Sequence, residues 1–328
     1  MRNMPTTRRY PPWLLITAGS AIIITTYLFL VVWQPESLVG GAGVGPAALI
    51  ALAGYLIGSG LIIAGAMARM PTSTVTLLPI AIAINIVAGQ INNMVGLPLY
   101  LDSIGTVLVG LLAGPAAGAA TGALSNVIWG ISISPASLPY STTQVVIGLL
   151  AGVFARWGWT RRVPTAVAAG VATGVVAAFV SGPISAFIFG GANASAGRSA
   201  IVAVFQTLGL DTLGASIAQG LTVDPLDKSI AFLVAVIILR ALPSRFSQRF
   251  PFAREHSVFA PRSASVLARA RDVDVLAGAD RASVSASIAA TAPAATSAAA
   301  NGQDGDGSGA APSASGTDTT QDEEGGRL

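Results

Sequence analysis

The sequence predicts an all-α integral membrane protein of about eight spans, followed by a disordered C-terminal tail. Three observations carry that expectation. Hydrophobic residues make up 52% of the 328 residues and charged ones only 10%, at a mean hydropathy of +0.68, whereas soluble domains average about 25% charged residues. Charge is also segregated: before Glu255 thirteen Lys/Arg stand against five acids, and from there on five Arg against ten acids. A basic, apolar body of +8 is thus joined to an acidic tail of −5. Finally, the basic residues flank apolar runs of about 20 residues, the length at which a helix crosses a hydrocarbon core of about 30 Å. The pI near 9.7 therefore reflects membrane topology, and no nucleic-acid partner is expected.

Trp13 to Trp33 is the first span, preceded by Arg8 and Arg9; it is longer than a signal core and lacks a small-x-small cleavage site, which predicts an uncleaved helix. A Gly-rich loop (Gly40, Gly41, Gly43, Gly45) leads to Pro46, which opens a second span ending near Ala68, with Arg69 behind it. Val75 to Val95 is the third. The Gly114-Pro115 pair interrupts the next apolar stretch, predicting a short span over Ser103–Ala113 and a return partner over Ala116–Ile131. Ser141–Phe154 is the sixth span, stopped by Arg156, Arg161 and Arg162, and Pro164–Gly190 the seventh. Residues 196–224 are apolar but broken by Asp211 and several Gly, and read as a lateral or re-entrant helix. Leu226–Leu242 is the last span. With the N-terminus inside, eleven basic residues fall on the cytoplasmic side and only Arg198 and Lys228 outside, predicting an N-in, C-in topology. Beyond Arg254 the sequence becomes rich in Ala, Ser, Gly and Asp with almost no aromatics. Within Val258–Val284 the run VLARARDVDVLAGADRA could form a short amphipathic helix, whereas Ser285–Leu328 cannot bury enough apolar surface to fold and is expected to be a disordered cytoplasmic tail.

The residue inventory narrows the chemistry. There is no Cys and a single His, His256, which excludes disulfides, thiolate metal sites and Cys nucleophiles and leaves little for a His triad. No metal site, cofactor or catalytic group is expected. No Gly-x4-Gly-Lys-Ser/Thr motif is present, so any ATP-driven work requires a partner. Mid-span acids of the kind a proton- or sodium-driven carrier keeps are also missing.

Polar groups concentrate at one end of the third to sixth spans: Asn85, Asn92, Asn93, Tyr100, Asp102, Asn126 and Trp129, with Tyr140 and Gln144 at the start of the sixth. Such groups in a membrane need a partner or a role. Taken together they predict a small outward-facing polar pocket with flat aromatic walls; taken singly, each also fits a cap, an interhelical hydrogen bond or an interface anchor. Asp102 precedes a short span, where an N-cap carboxylate is favourable, and it equally suits a cationic or hydrogen-bonding ligand. Asp224 and Asp227 have the position of caps for the last span. Lys228 either snorkels outward or pairs with Asp102, and facing the pocket it would suit an anionic group. Gly110, Gly114, Gly118 and Gly122 recur every four residues, a spacing that serves close internal packing or a smooth docking surface.

Ile84-Asn85, the block LPLYLDSIGTVLVGLLAGPAAGAATGALSNVIWG (Leu97 to Gly130), the Gly148–Arg156 helix end and DPLDKSIAFLVAVIILRALP (Asp224 to Pro243) together resemble the substrate-binding (S) component of energy-coupling factor (ECF) vitamin transporters. The resemblance implies a six-helix S-component-like bundle over residues 71–250, preceded by two extra transmembrane helices in 1–70 and followed by the cytoplasmic tail 251–328. It further implies a bacterial plasma-membrane protein that captures a vitamin or related micronutrient. The cargo is delivered through a transmembrane T component and two cytoplasmic ATPases. Binding candidates are then Asn85, Asn92, Asn93, Tyr100, Asp102, Asn126, Trp129, Tyr140, Gln144 and Lys228. Family members often dock the T component through Ala-x3-Ala on the first core helix. Here Asn85 follows Ala81 and Val87 follows Ala83 at that spacing, so the docking candidates are the looser face of Ala81, Ala83 and Ala88, with Gly114, Gly118 and Gly122. The alternative function is a membrane sensor or scaffold using the same fold without transport.

Overall fold

The computed structural model describes residues 11–33, 46–192, 195–247 and 249–258, all within one compact unit. Among them every regular element is helical: α1 (Pro12–Trp33), α2 (Pro46–Met67), α3 (Thr72–Val95), α4 (Ile104–Ala113), α5 (Pro115–Ser132), α6 (Ser141–Arg156), α7 (Val163–Phe189), α8 (Ala196–Thr207), α9 (Thr212–Ala241) and two short helices, α10 (Ser244–Ser247) and α11 (Pro251–Glu255). Four helices among the described residues are long and apolar enough to cross a bilayer: Pro12–Trp33, Leu49–Met67, Thr72–Val95 and Val163–Phe189. The chain is a membrane protein, all-helical over the described residues. The ten residues of α4 extend only about 15 Å at 1.5 Å per residue, half a hydrocarbon core.

α1 and α2 form a hairpin. The buried residues of α1 are one stripe, Gly19, Ile23, Thr26 and Leu30, while Ile24, Leu28 and Val32 are exposed, as a lipid-facing side requires. The two backbones meet at Gly19, where a Cβ would lie 2.5 Å from the Gly58 carbonyl oxygen. The other face of α2 joins the bundle, where the Ser59 and Ser141 hydroxyls lie 3.0 Å apart.

α4 is the axis of the rest. Every residue from Ile104 to Leu112 is buried, and its apolar side chains pack with Phe154, Phe232 and Phe250 into the main core. Gly114, at φ 91°, turns the chain directly into α5 with Pro115 at the first helical position, as the Gly-Pro pair predicts. Three glycines then let α4, α5 and α6 touch backbone to backbone: a Cβ on Gly118 would fall 2.4 Å from the Gly148 carbonyl oxygen, and one on Gly122 2.4 Å from that of Gln144. α7 and α9 pack antiparallel along their length, with Gly170 against Ser229 and Gly174 against Asp224.

Two expectations are corrected here. Residues 196–224 do not form one lateral or re-entrant helix followed by a separate span. They divide into α8, a turn, and the first half of α9, which runs unbroken through Pro225 to Ala241. Asp211 starts that helix by accepting a hydrogen bond from Gly214 N at 3.0 Å, so it is a cap rather than an interruption. The tail also begins later than residue 251. Phe250, Ala253 and Val258 are buried, and Phe252 packs on Gly114, because this stretch still carries apolar side chains that fit against the bundle. The amphipathic helix considered over 266–282, the disorder expected for 285–328, the Gly-rich loop 40–45 and the first ten residues lie outside the described residues.

The basic residues gather at one end. Arg161 Nη2 donates to the His256 carbonyl at 2.7 Å, Arg240 Nη2 to that of Arg161 at 3.0 Å, and Ser73 Oγ to that of Arg249 at 3.2 Å. The α6–α7 turn, the end of α9, the short helices and the start of α3 therefore share one face. The polar residues of interest lie toward the other.

Candidate functional site

Between α3 and α4 the segment 96–103 drops into the bundle, and its placement is set by side chains from distant elements. Asp227 Oδ1 accepts from the Tyr100 and Leu101 amides at 3.0 and 2.9 Å, with Leu101 at a positive φ of 53°. Ser195 Oγ donates to the Leu97 carbonyl at 2.8 Å and Arg198 Nε to that of Pro98 at 2.9 Å. Asn92 Nδ2 donates to the Leu99 carbonyl.

Five charged side chains meet against this segment. Arg198 Nη2 lies 2.6 Å from Asp224 Oδ1, and its guanidinium stands 3.8 Å over the Tyr100 ring. Lys228 Nζ lies 2.6 Å from Asp227 Oδ2, 3.1 Å from Ser103 Oγ and 3.5 Å from Asp102 Oδ1. Lys228 sits twelve residues before Arg240 on α9, so the cluster lies about 18 Å from the basic end, deep in the bundle. Charges this deep require partners. The cluster holds three carboxylates and two cations.

Above it opens a cavity. Water centres have about 70 Å³ of free space in it, room for on the order of five waters or a compact organic molecule. Eight of the expected binding residues border it: Asn93, Tyr100, Asp102, Asn126, Trp129, Tyr140, Gln144 and Lys228. Gly89 on α3 makes room for its aromatic wall, since a Cβ there would fall 2.4 Å from the Trp129 indole and 3.1 Å from Asp102 Cβ. Tyr140 stacks on Phe189 with ring centroids 5.7 Å apart. Thr143 Oγ1, Ser216 Oγ and Gln219 Nε2 also line the cavity, are buried, and have no hydrogen-bond partner in the protein. Buried polar groups are normally satisfied, so these atoms await water or a ligand.

Asn85 and Asn92 do not reach the cavity. Asn85 is fully buried, and its side chain caps α4 from a neighbouring helix. Its Oδ1 accepts from Gly105 N at 2.7 Å and Thr106 N at 3.3 Å, while its Nδ2 donates to Thr106 Oγ1 and Ser125 Oγ at 2.8 and 2.9 Å. The cap role considered for Asp102 therefore belongs to Asn85, because Asp102 is turned toward Lys228 and the cavity. Asp224 and Asp227 are not caps either; α9 passes through both, and ion pairing holds them inside. Lys228 takes the pairing alternative. Its three N–H donors are engaged, which leaves it poorly placed for an anionic group. Asn85→Ala is expected to lower stability by about 2–4 kcal/mol, since two α4 amides and two hydroxyls lose their partner in a dry site; thermal unfolding of the solubilised chain measures it.

The docking candidates also separate. Gly114, Gly118 and Gly122 are buried in the α4–α5–α6 contact and the Phe252 contact, so they pack the bundle internally and offer no surface. Ala81 is buried against Gly105, whose Cβ would meet the Ala81 carbonyl oxygen at 2.0 Å; Ala88 is half-buried and Ala83 exposed.

Sequence reasoning missed Arg198, Asp224, Ser216 and Gln219 at the cavity. The signal lay in Arg198 and Asp224, two opposite charges within one apolar stretch, which is costly unless they meet. Compared with known proteins, the chain matches no family model, no curated protein and no solved structure.

Proposed function

We propose that this protein is the membrane-embedded receptor of an ATP-driven importer, an ECF-type S component that captures a small micronutrient from outside the cell. The observation that carries the reading is the cavity itself, bordered both by aromatic rings and by buried, unpartnered Thr143, Ser216 and Gln219. This is the composition of a small-molecule site rather than of packed core. Orientation supports it. The positive-inside rule puts the basic end formed by Arg161, Arg240, Arg249 and Arg254 in the cytoplasm of a bacterial plasma membrane, N-in and C-in, so the cavity opens outward. The chain has no Walker motif, so a T component and two ATPases would supply the energy. The α1–α2 hairpin is then an addition to a six-helix core.

The test is gentle solubilisation of the tagged full chain, followed by native mass spectrometry. A vitamin-sized adduct together with a T component and ATPases is the expected result. Protein alone, with neither adduct nor partners, would defeat the importer reading and favour a sensor or scaffold.

A further inference from the structure

We infer that the cavity is selective for a compact organic cation, with the Asp102 carboxylate and the Trp129 ring holding the charge. The inference rests on the cavity being a small-molecule site and adds the class of molecule. Charge balance comes first. Asp102, Asp224 and Asp227 outnumber Arg198 and Lys228 by one inside the bundle, so the unliganded site carries a formal excess of one negative charge that an entering cation would neutralise.

The internal pairing shows where that charge lies. Asp227 is used on both oxygens, by the Tyr100 and Leu101 amides and by Lys228. Asp224 is paired with Arg198 at 2.6 Å. Asp102 has the weakest partner, Lys228 at 3.5 Å, and its side chain is the most accessible of the three, at 15%. Both cations border the cavity, but they are engaged within the cluster: Lys228 by Asp227, Ser103 and Asp102, and Arg198 by Asp224 and Pro98 with its face over Tyr100. An anionic ligand would therefore meet cations already paired, and a cation would meet the most weakly paired carboxylate.

The second observation is the ring beside that carboxylate. Gly89 has no side chain, and the space it leaves is filled from one side by the Trp129 indole and from the other by Asp102 Cβ. Asp102 and the indole thus lie close together, and both border the cavity, a pairing suited to an ammonium or a charged nitrogen heterocycle. The unpartnered Thr143, Ser216 and Gln219, which line the same cavity, would read the uncharged part of the molecule by hydrogen bonds.

The test uses three closely related pyridine probes of similar size that differ in charge: 1-methylnicotinamide (+1), nicotinamide (0) and nicotinate (−1). Each is measured by equilibrium dialysis against the solubilised full chain at neutral pH and low salt. The cation is expected to bind at least about tenfold more tightly than the neutral probe, and the anion most weakly. Asp102→Asn should abolish the preference and Asp102→Glu retain most of it, with elution volume and melting temperature checking that each variant is folded. Equal binding of all three probes, binding of none, or preference for nicotinate would each overturn the cation assignment. Those outcomes leave the importer reading to its own test, because recovery of a T component and ATPases does not depend on ligand charge. If Asp102→Asn does not fold, the order of the probes on the unmodified chain still decides.

Discussion

Arg198→Ala is expected to be among the most damaging single substitutions in the bundle, lowering stability by about 3–5 kcal/mol and the melting temperature by on the order of 10 °C. Arg198 and Asp224 are almost wholly buried, at 3% and 4% side-chain exposure, and lie 2.6 Å apart. Removing the guanidinium leaves Asp224 charged in a dry site and strips Tyr100 of the cation over its ring. It also releases the Pro98 carbonyl, and with it one of the restraints on the segment that floors the cavity. The physical content lies in a comparison. Replacing both partners, Arg198→Met with Asp224→Leu, takes away the cation and the uncompensated anion together, so the double variant should recover at least half of the loss. Thermal unfolding of the two solubilised variants beside the unmodified chain reads this directly. A double variant as unstable as Arg198→Ala would mean that the contacts to Pro98 and Tyr100, and not the charge, account for the effect.

Gly148→Val is expected to prevent assembly of the α4–α5–α6 contact, at a cost of more than about 3 kcal/mol. A Cβ at Gly148 would lie 2.2 Å from the Gly118 carbonyl carbon and oxygen, which are main-chain atoms that cannot rotate out of the way. Relief would require α5 and α6 to separate, opening the floor of the cavity that Gln144 and Trp129 border. The control is Gly60→Ala. Gly60 is exposed in the middle of α2 with nothing within 4 Å of its Cβ position, so this change should be neutral or stabilising by about 0.5–1 kcal/mol through helix propensity. Expression yield and monodispersity by size-exclusion chromatography separate the two, followed by melting where protein is recovered. Similar behaviour of both variants would sink the argument that backbone contact, rather than glycine content, shapes the bundle.

The polar cluster at one end of the third to sixth spans was visible in the sequence because charged, amide and aromatic residues stand out against apolar helices. Asn93, Asp102, Asn126, Trp129, Tyr140 and Gln144 do share a cavity. Asn85 and Asn92 were grouped with them as polar residues near the same end of the spans, which gives their level in the membrane but not what their side chains meet. Asn85 meets the start of α4, and its side chain becomes a cap. Likewise the glycine spacing of α4 and α5 announced close approach without saying to what, and the answer is other helices of the same chain.

What the sequence determined by itself is local. Apolar length places the spans, the Gly114-Pro115 pair divides α4 from α5, and the segregated charge divides a basic body from an acidic tail. These follow from hydropathy and backbone freedom, which belong to each residue and its immediate neighbours. The tertiary structure decided the pairings. Whether Lys228 faces lipid, solvent or Asp102, 126 residues away, depends on the rotation of α9 about its axis and on how near Gly170 and Gly174 let α7 approach it. The same geometry brings Arg198 to Asp224, carries α9 unbroken past two buried carboxylates, and leaves Asp102 facing the cavity. A buried charge is stable only beside its partner, and the distance between the two is a property of the packed bundle, not of the chain.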